Sequence, residues 1–284
     1  MTIRAPVNEF GLLIPSGNGV VTLGATVTPG NNTYGTYAQM LAGAAVTDEA
    51  YGIWVTIYGN AVSASARDAI GKIGLDAAGG TTYTDAIIDF SCSAAGSLSG
   101  ASGGGGGITL YFPLRITAGS SIAIAVSVNN ATVGTCTAFC RLVAKPTGPT
   151  PPRAGAFVRT FGSTPASSSG TAVTPGNSAK SAWVQMGSAV ADSLWYWTLS
   201  VCNNNAVYGN NNPSVWDLGI GSSTTTLRII ILDQIIIHST SESMSFTSIG
   251  AYGLAAPGDL IFIRAATQGA PQTGFSAIAH GTGG

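Results

Sequence analysis

The side chains able to move protons, hold a metal or act as nucleophiles are few in this 284-residue chain: two histidines, twelve carboxylates and four cysteines. Neither histidine has a local partner. His238 closes the apolar run Ile235-Ile236-Ile237, and His280 lies in a glycine-rich C-terminal stretch, so both read as strand-end or surface residues. The carboxylates are scattered without a tight pair of the kind acid–base catalysis uses. Asp48/Asp192 and Asp89/Asp233 recur in matching sequence contexts, which points to shared turns or caps. Gly100-Ala101-Ser102-Gly103-Gly104 fits a nucleophile-elbow pattern in form, but it sits inside a Ser/Gly tract rather than at a strand-turn-helix. The Gly103 to Gly107 run lacks the Gly-Lys-Ser/Thr that a phosphate loop requires. Asn31-Asn32-Thr33 and Asn130-Ala131-Thr132 are glycosylation sequons in form only. Cys136 and Cys140 share a strand face at period 2, and with Cys92 and Cys202 they read as packed thiols, since no second Cys/His pair completes a tetrahedral zinc site. These residues predict no catalytic group, no cofactor and no metal.

Aromatic side chains offer a different chemistry, the stacking of rings on the apolar faces of sugars. Trp183, Trp195 and Trp197 align with Tyr37, Tyr51 and Ile53 and are assigned to the core. Tyr196 and Tyr208, beside the Asn203-Asn204-Asn205 and Asn210-Asn211-Asn212 loops, are the candidates for a polar ligand surface, with Asn204 and Asn211 as hydrogen-bonding partners. A glycan is the ligand such a surface would take.

Charge supports few other classes. Only 8% of residues are charged, against about 25% in ordinary soluble domains, and the net charge is −1. No basic patch exists for phosphates or anionic lipid, so neither nucleic acid nor a membrane surface is an expected partner. The longest apolar stretch, Leu227 to Ile237, is broken by Arg228, Asp233 and Gln234, and falls short of a spanning helix. The first residues, Met1 to Pro6, lack the basic-then-apolar pattern of a signal peptide, and residence in a cytoplasm or in a particle assembled there is the expectation.

The elements that would position these residues occur twice. Val27-Thr28-Pro29-Gly30-Asn31 is answered by Val173-Thr174-Pro175-Gly176-Asn177, and Tyr37-Ala38-Gln39-Met40 by Trp183-Val184-Gln185-Met186. Ile73-Gly74-Leu75 answers Leu218-Gly219-Ile220, Ile87-Ile88-Asp89 answers Ile231-Leu232-Asp233, and Thr137-Ala138-Phe139 answers Thr273-Gly274-Phe275. Matches in one order along both halves mark a tandem duplication. The expected division is a first domain over 1–145 with an N-terminal arm, a proline-rich spacer over 146–153, and a second domain over 154–284.

Within each copy the apolar period is 2, as in Ile53, Val55 and Ile57. Candidate strands include Asp68 to Leu75, Cys136 to Ala144, Leu227 to Ile231, Ser243 to Phe246 and Gly274 to Ala279, with Ser97 to Gly107 as a long loop. Seven or eight such strands per copy predict an all-β protein of two tandem β-sandwiches, jelly-roll-like rather than immunoglobulin-like.

Two charge-poor, Gly/Ala/Ser/Thr-rich sandwiches, each ending in a Phe-x-x-Leu/Ile strand (Phe139 to Leu142, Phe275 to Ile278), resemble structural proteins of tailed-bacteriophage virions, of the head decoration, cement or fibre-module type. The resemblance implies a non-catalytic protein assembled in the bacterial host cytoplasm into a virion. Its implied partners are the major capsid protein or other virion subunits, in a homo-oligomeric or lattice-bound state. A receptor- or glycan-binding module is the other function implied.

Overall fold

The computed structural model describes residues 12–13, 24–58, 69–91, 108–128, 135–144, 153–163, 170–203, 212–238, 245–268 and 274–284. Most of the proline-rich spacer and the Ser97 to Gly107 stretch lie outside them. The strands of the first half are β1 (Leu12–Leu13), β2 (Ala25–Val27), β3 (Gly30–Asn31), β4 (Ala38–Leu41), β5 (Ala50–Tyr58), β6 (Ala69–Asp76), β7 (Thr84–Ser91), β8 (Ile108–Phe112), β9 (Ser121–Val128) and β10 (Cys136–Ala144). Those of the second are β11 (Phe157–Phe161), β12 (Thr171–Val173), β13 (Gly176–Asn177), β14 (Val184–Gln185), β15 (Leu194–Asn203), β16 (Asn212–Gly221), β17 (Arg228–His238), β18 (Ser245–Ala255), β19 (Leu260–Thr267) and β20 (Phe275–Gly283). The one helical element among the described residues is a single 3-10 turn, Gly43–Ala45. No helix among the described residues is long and apolar enough to cross a membrane.

One sheet of the first half runs β1-β10-β5-β8 with β2 also on β10, and the other runs β3-β9-β6-β7 with β4 also on β9. The second half repeats both orders strand for strand, as β11-β20-β15-β18 with β12 and β13-β19-β16-β17 with β14. Interleaving of early and late strands in two facing sheets is jelly-roll topology, so the protein is two tandem jelly-roll sandwiches. Alternation drives it: Ile53, Val55 and Ile57 point inward from β5, and Trp197, Leu199 and Val201 do so from β15.

The repeated Val-Thr-Pro-Gly-Asn segment carries the chain from one sheet to the other. After it, Asn32 and Ser178 adopt left-handed backbone at φ 54° and 55°, and their N–H groups donate to the Val128 and Thr267 carbonyls. Gly30 and Gly176 are required beside this turn, because a Cβ would lie 2.4 Å from Thr33 O and 2.2 Å from Ala179 O. A second pair of left-handed residues, Asp89 (φ 55°) and Asp233 (φ 53°), sits at bulges where β7 and β17 slip against β6 and β16. The recurring aspartates are therefore bulge residues, and Asp tolerates this conformation where a β-branched residue would not.

Several sequence expectations change. The strand expected over Leu227 to Ile231 continues to His238, since the bulge at Asp233 interrupts the alternation without ending the ladder. Of the short run Ser243 to Phe246, Ser245 and Phe246 open the eleven-residue β18, and Ser243 and Met244 lie outside the described residues. The final strands align three residues away from the sequence match: Val55 pairs with Cys140 while its equivalent Leu199 pairs with Ala279, so Cys136 rather than Phe139 matches Phe275. An odd slip exchanges the two faces of a strand, and accordingly Phe275 is core while Phe139 is half-buried on the outside.

His280 is no tail residue. It lies in β20 and is 1% exposed. Its flanking glycines mark close packing: a Cβ on Gly281 would lie 2.5 Å from Leu194 and 3.0 Å from the Trp197 ring, and one on Gly283 2.7 Å from the Phe157 ring. His238 is the last residue of β17, paired with Asn212.

Candidate functional site

The two copies carry the same cradle on the outside of their second sheets, built from the crossing turn, the central strand and the bulged edge strand. In the first copy Lys72 of β6 lies 4.9 Å from the ring centres of both Tyr34 and Tyr37 and pairs with Asp85 at 3.0 Å. The Tyr34 hydroxyl donates to Asp89 and that of Tyr37 to Asp85. Tyr83 packs on Tyr37 at 5.2 Å, and its buried hydroxyl has no hydrogen-bond partner among the described residues. Tyr34, Tyr37, Tyr83 and Lys72, with Gln39 and Thr36, line a cleft of about 540 Å³.

Neither Asp85 nor Tyr37 is poised to exchange a proton near neutrality. Burial works against the charged form of Asp85, but Tyr37 and Lys72 outweigh it and hold the carboxyl below its ordinary value. Burial, then the Asp85 hydrogen bond and charge, push the Tyr37 hydroxyl well above the usual phenol range. Both groups stay in one protonation state near neutrality. Ring faces, a fixed ion pair and hydroxyls suit the binding of a polar ligand with a flat apolar face.

In the second copy the cradle is closed. Asp217 stands where Lys72 stands, Lys180 where Tyr34 does and Trp183 where Tyr37 does. Asp217 is fully buried and accepts from Lys180 at 2.5 Å, Arg264 at 2.7 Å and the Asp233 N–H at 2.8 Å. Burial opposes its charge, but these donors win and lower its pKa. Arg264 lies 4.3 Å over the Trp183 ring. Trp183 is thus an outer residue and not the core residue expected from alignment. Trp197 is core, as expected; Trp195, displaced at the bulge between Leu194 and Tyr196, packs on Tyr252 and under Arg153.

A second recognition surface is already occupied. The side of the first sandwich formed by its edge strands β7 and β8 rests on the outer face of the β11-β20-β15-β18 sheet. Thr160 Oγ1 donates to Ile88 O at 2.6 Å, Thr198 Oγ1 donates to Tyr111 O at 2.8 Å, and His280 Nε2 lies 3.3 Å from Ile88 O. Phe112 meets His280 edge-on at 5.3 Å, and Tyr111 meets Tyr196 at 6.0 Å. Val158 of β11 joins the first sandwich's core. Burial depresses the His280 pKa to about 4, so the imidazole is neutral at neutral pH.

The equivalent side of the second sandwich is uncovered among the described residues. Along β17 and β18 it presents Ile229, Leu232, Ile235 and Leu254, which are 45–61% exposed, while the exposed Tyr252 packs on Tyr196 and Trp195 at the edge of the internal contact. Leu232 occupies the register position of Ile88, and Leu254 that of Arg115.

Of the residues singled out from sequence, Tyr196 is 9% exposed and belongs to the contact between the sandwiches. Asn204, Tyr208 and Asn211 lie outside the described residues. Sequence reading missed Tyr34, Tyr37, Lys72 and Tyr83; the signal was a lysine between Ile70 and Ile73 in the middle of the Ala69–Asp76 strand. Cys136 and Cys140 are free and buried, and burial raises their pKa values to about 11 and about 12. No group of three metal-ligating side chains gathers among the described residues.

No family model matches the chain. No curated protein matches it either. Among solved structures, the CBM22-1-CBM22-2 tandem domain from Paenibacillus barcinonensis Xyn10C is similar at 11% identity and TM-score 0.30, over 98% of each chain. PNGF-II is similar at 11% identity and TM-score 0.40, over 97% of this chain and 64% of that one. Broad bean stain virus is similar at 10% identity and TM-score 0.34, over 99% of this chain and 94% of that one. All three superpose only loosely.

Proposed function

We propose that the protein is a non-catalytic structural component of a tailed-bacteriophage virion, a decoration or cement protein that binds the outer capsid lattice and bridges neighbouring subunits. The apolar side of the second sandwich carries this reading. Ile229, Leu232, Ile235 and Leu254 stand exposed there on a protein with 8% charged residues, and groups of exposed large apolar side chains of this kind mark protein interfaces. The edge is bulged at Asp233, which discourages strand addition and leaves docking of side chains as the mode of contact. Mass spectrometry of gradient-purified virions tests the reading: the chain is expected at a fixed ratio to the major capsid protein, and its absence from the particles overturns it.

A second reading, a glycan- or receptor-binding module, is favoured by one observation, the Tyr34/Tyr37/Tyr83 cleft with its Lys72–Asp85 pair. Binding on a glycan array that disappears in Tyr37→Ala supports it; an array with no hits removes it.

A further inference from the structure

The contact between the two sandwiches uses two surfaces, each with an equivalent on the other copy that is largely uncovered by the described residues. The used pair is the β7/β8 side of the first sandwich and the outer face of the β11-β20-β15-β18 sheet. Its unused counterpart is the β17/β18 side of the second sandwich and the outer face of the β1-β10-β5-β8 sheet. Burial records the difference. β20 is buried at all nine positions because the first sandwich covers its outer face, whereas its equivalent β10 alternates between buried and half-buried positions.

We propose that the open β17/β18 side of one chain docks on the outer face of the β1-β10-β5-β8 sheet of a second copy, repeating the internal contact head to tail. The clause of the previous reading on which this rests is that the apolar side is a protein interface; the new element is the partner. The residues fit that role. On the face, Arg141 takes the register position of His280 and Trp54 that of Thr198, with Phe139 beside them. Arg141 Nε has no hydrogen-bond partner among the described residues. On the side, Leu232 takes the position of Ile88, whose carbonyl is the acceptor that His280 and Thr160 approach inside the chain. The half-buried Trp54 and Phe139 match the apolar Leu232 and Ile235. Because the two surfaces differ, the contact is heterologous, and each added copy presents a fresh unused side. The product is a ring or a row.

Sedimentation velocity on the intact chain across a hundredfold concentration range tests this, using Leu232→Lys to block the side, where it meets Arg141 as a like charge, and Arg141→Glu to block the face. The wild type is expected to grow past dimer, each variant to stay monomeric at concentrations at least tenfold higher, and an equimolar mixture of the two, which brings together one unblocked side and one unblocked face, to associate. Phe139→Asp is an independent face variant, and thermal unfolding of each variant confirms its fold. A wild type that remains monomeric, one that stops at a dimer, or a mixture that stays monomeric overturns the proposal. Capsid binding by a strictly monomeric wild type defeats this inference alone. Growth past dimer by a chain absent from virions supports this inference and defeats the virion reading.

Discussion

A buried ionised side chain is costly unless every partner is in place, and Asp217 is the residue where that rule bites hardest. Asp217→Ala leaves Arg264 without its carboxylate and Lys180 with only the exposed Asp233 at 3.0 Å, and is expected to cost about 3 kcal/mol in urea unfolding. Lys72→Ala breaks a pair whose carboxylate is 46% exposed and is expected to cost at most about 1 kcal/mol. Equal losses would show that the two cradles are held in the same way. His280 gives a pH signature. Its folded pKa lies near 4 against 6.5 for the free side chain, so below pH 6.5 the unfolded chain takes up a proton that the folded one refuses. Stability is therefore flat above pH 6.5 and falls by on the order of 1 kcal/mol per pH unit from there to pH 4. His280→Gln removes that slope. Asp85 and Asp217, whose pKa values are lowered, contribute their acid sensitivity below this window. None of this was legible in sequence, where His280 stands among glycines; only the neighbours of Gly281 and Gly283 show that the glycines make room for large rings.

Strands were legible wherever a single face is buried, as in β5, and less so where a bulge breaks the alternation. β17 shows why: Asp233 reads as a stop in the sequence, yet its left-handed backbone keeps the ladder in register on either side. The duplicated turn was legible as a motif, though not as a left-handed one. At Ser178 (φ 55°), Ser178→Gly is expected to leave stability unchanged or raise it slightly, while Ser178→Val is expected to lower it by about 1–2 kcal/mol, read by thermal unfolding. The misaligned final strands carry the same lesson. Phe139 and Phe275 match by type, but pairing with β5 and β15 fixes the face, and type alone does not see it.

The duplication and the jelly-roll class follow from sequence periodicity, whereas the contact between the copies does not, because nothing in one copy's pattern says what covers its outer face. Val158 shows how far the contact reaches, a residue of the second sandwich packed in the core of the first. The two halves are expected to unfold in one calorimetric transition, and Val158→Asp is expected to split it in two, with the first sandwich melting earlier. A single undisturbed transition in the variant would show that the contact adds little.

The order of the strands along the chain also sets a timetable for synthesis. The side of the first sandwich that holds Ile88 and Phe112 is complete once β8 has been made, but its cover includes His280 in β20, the last strand. At roughly 5–20 residues per second, the nascent first sandwich waits on the order of 10 s with that side bare. During that interval another nascent chain on the same message can take the place of its own second half. A slower ribosome over 114–275 lengthens the window and favours exchanged, interlocked chains; a faster one favours the closed molecule.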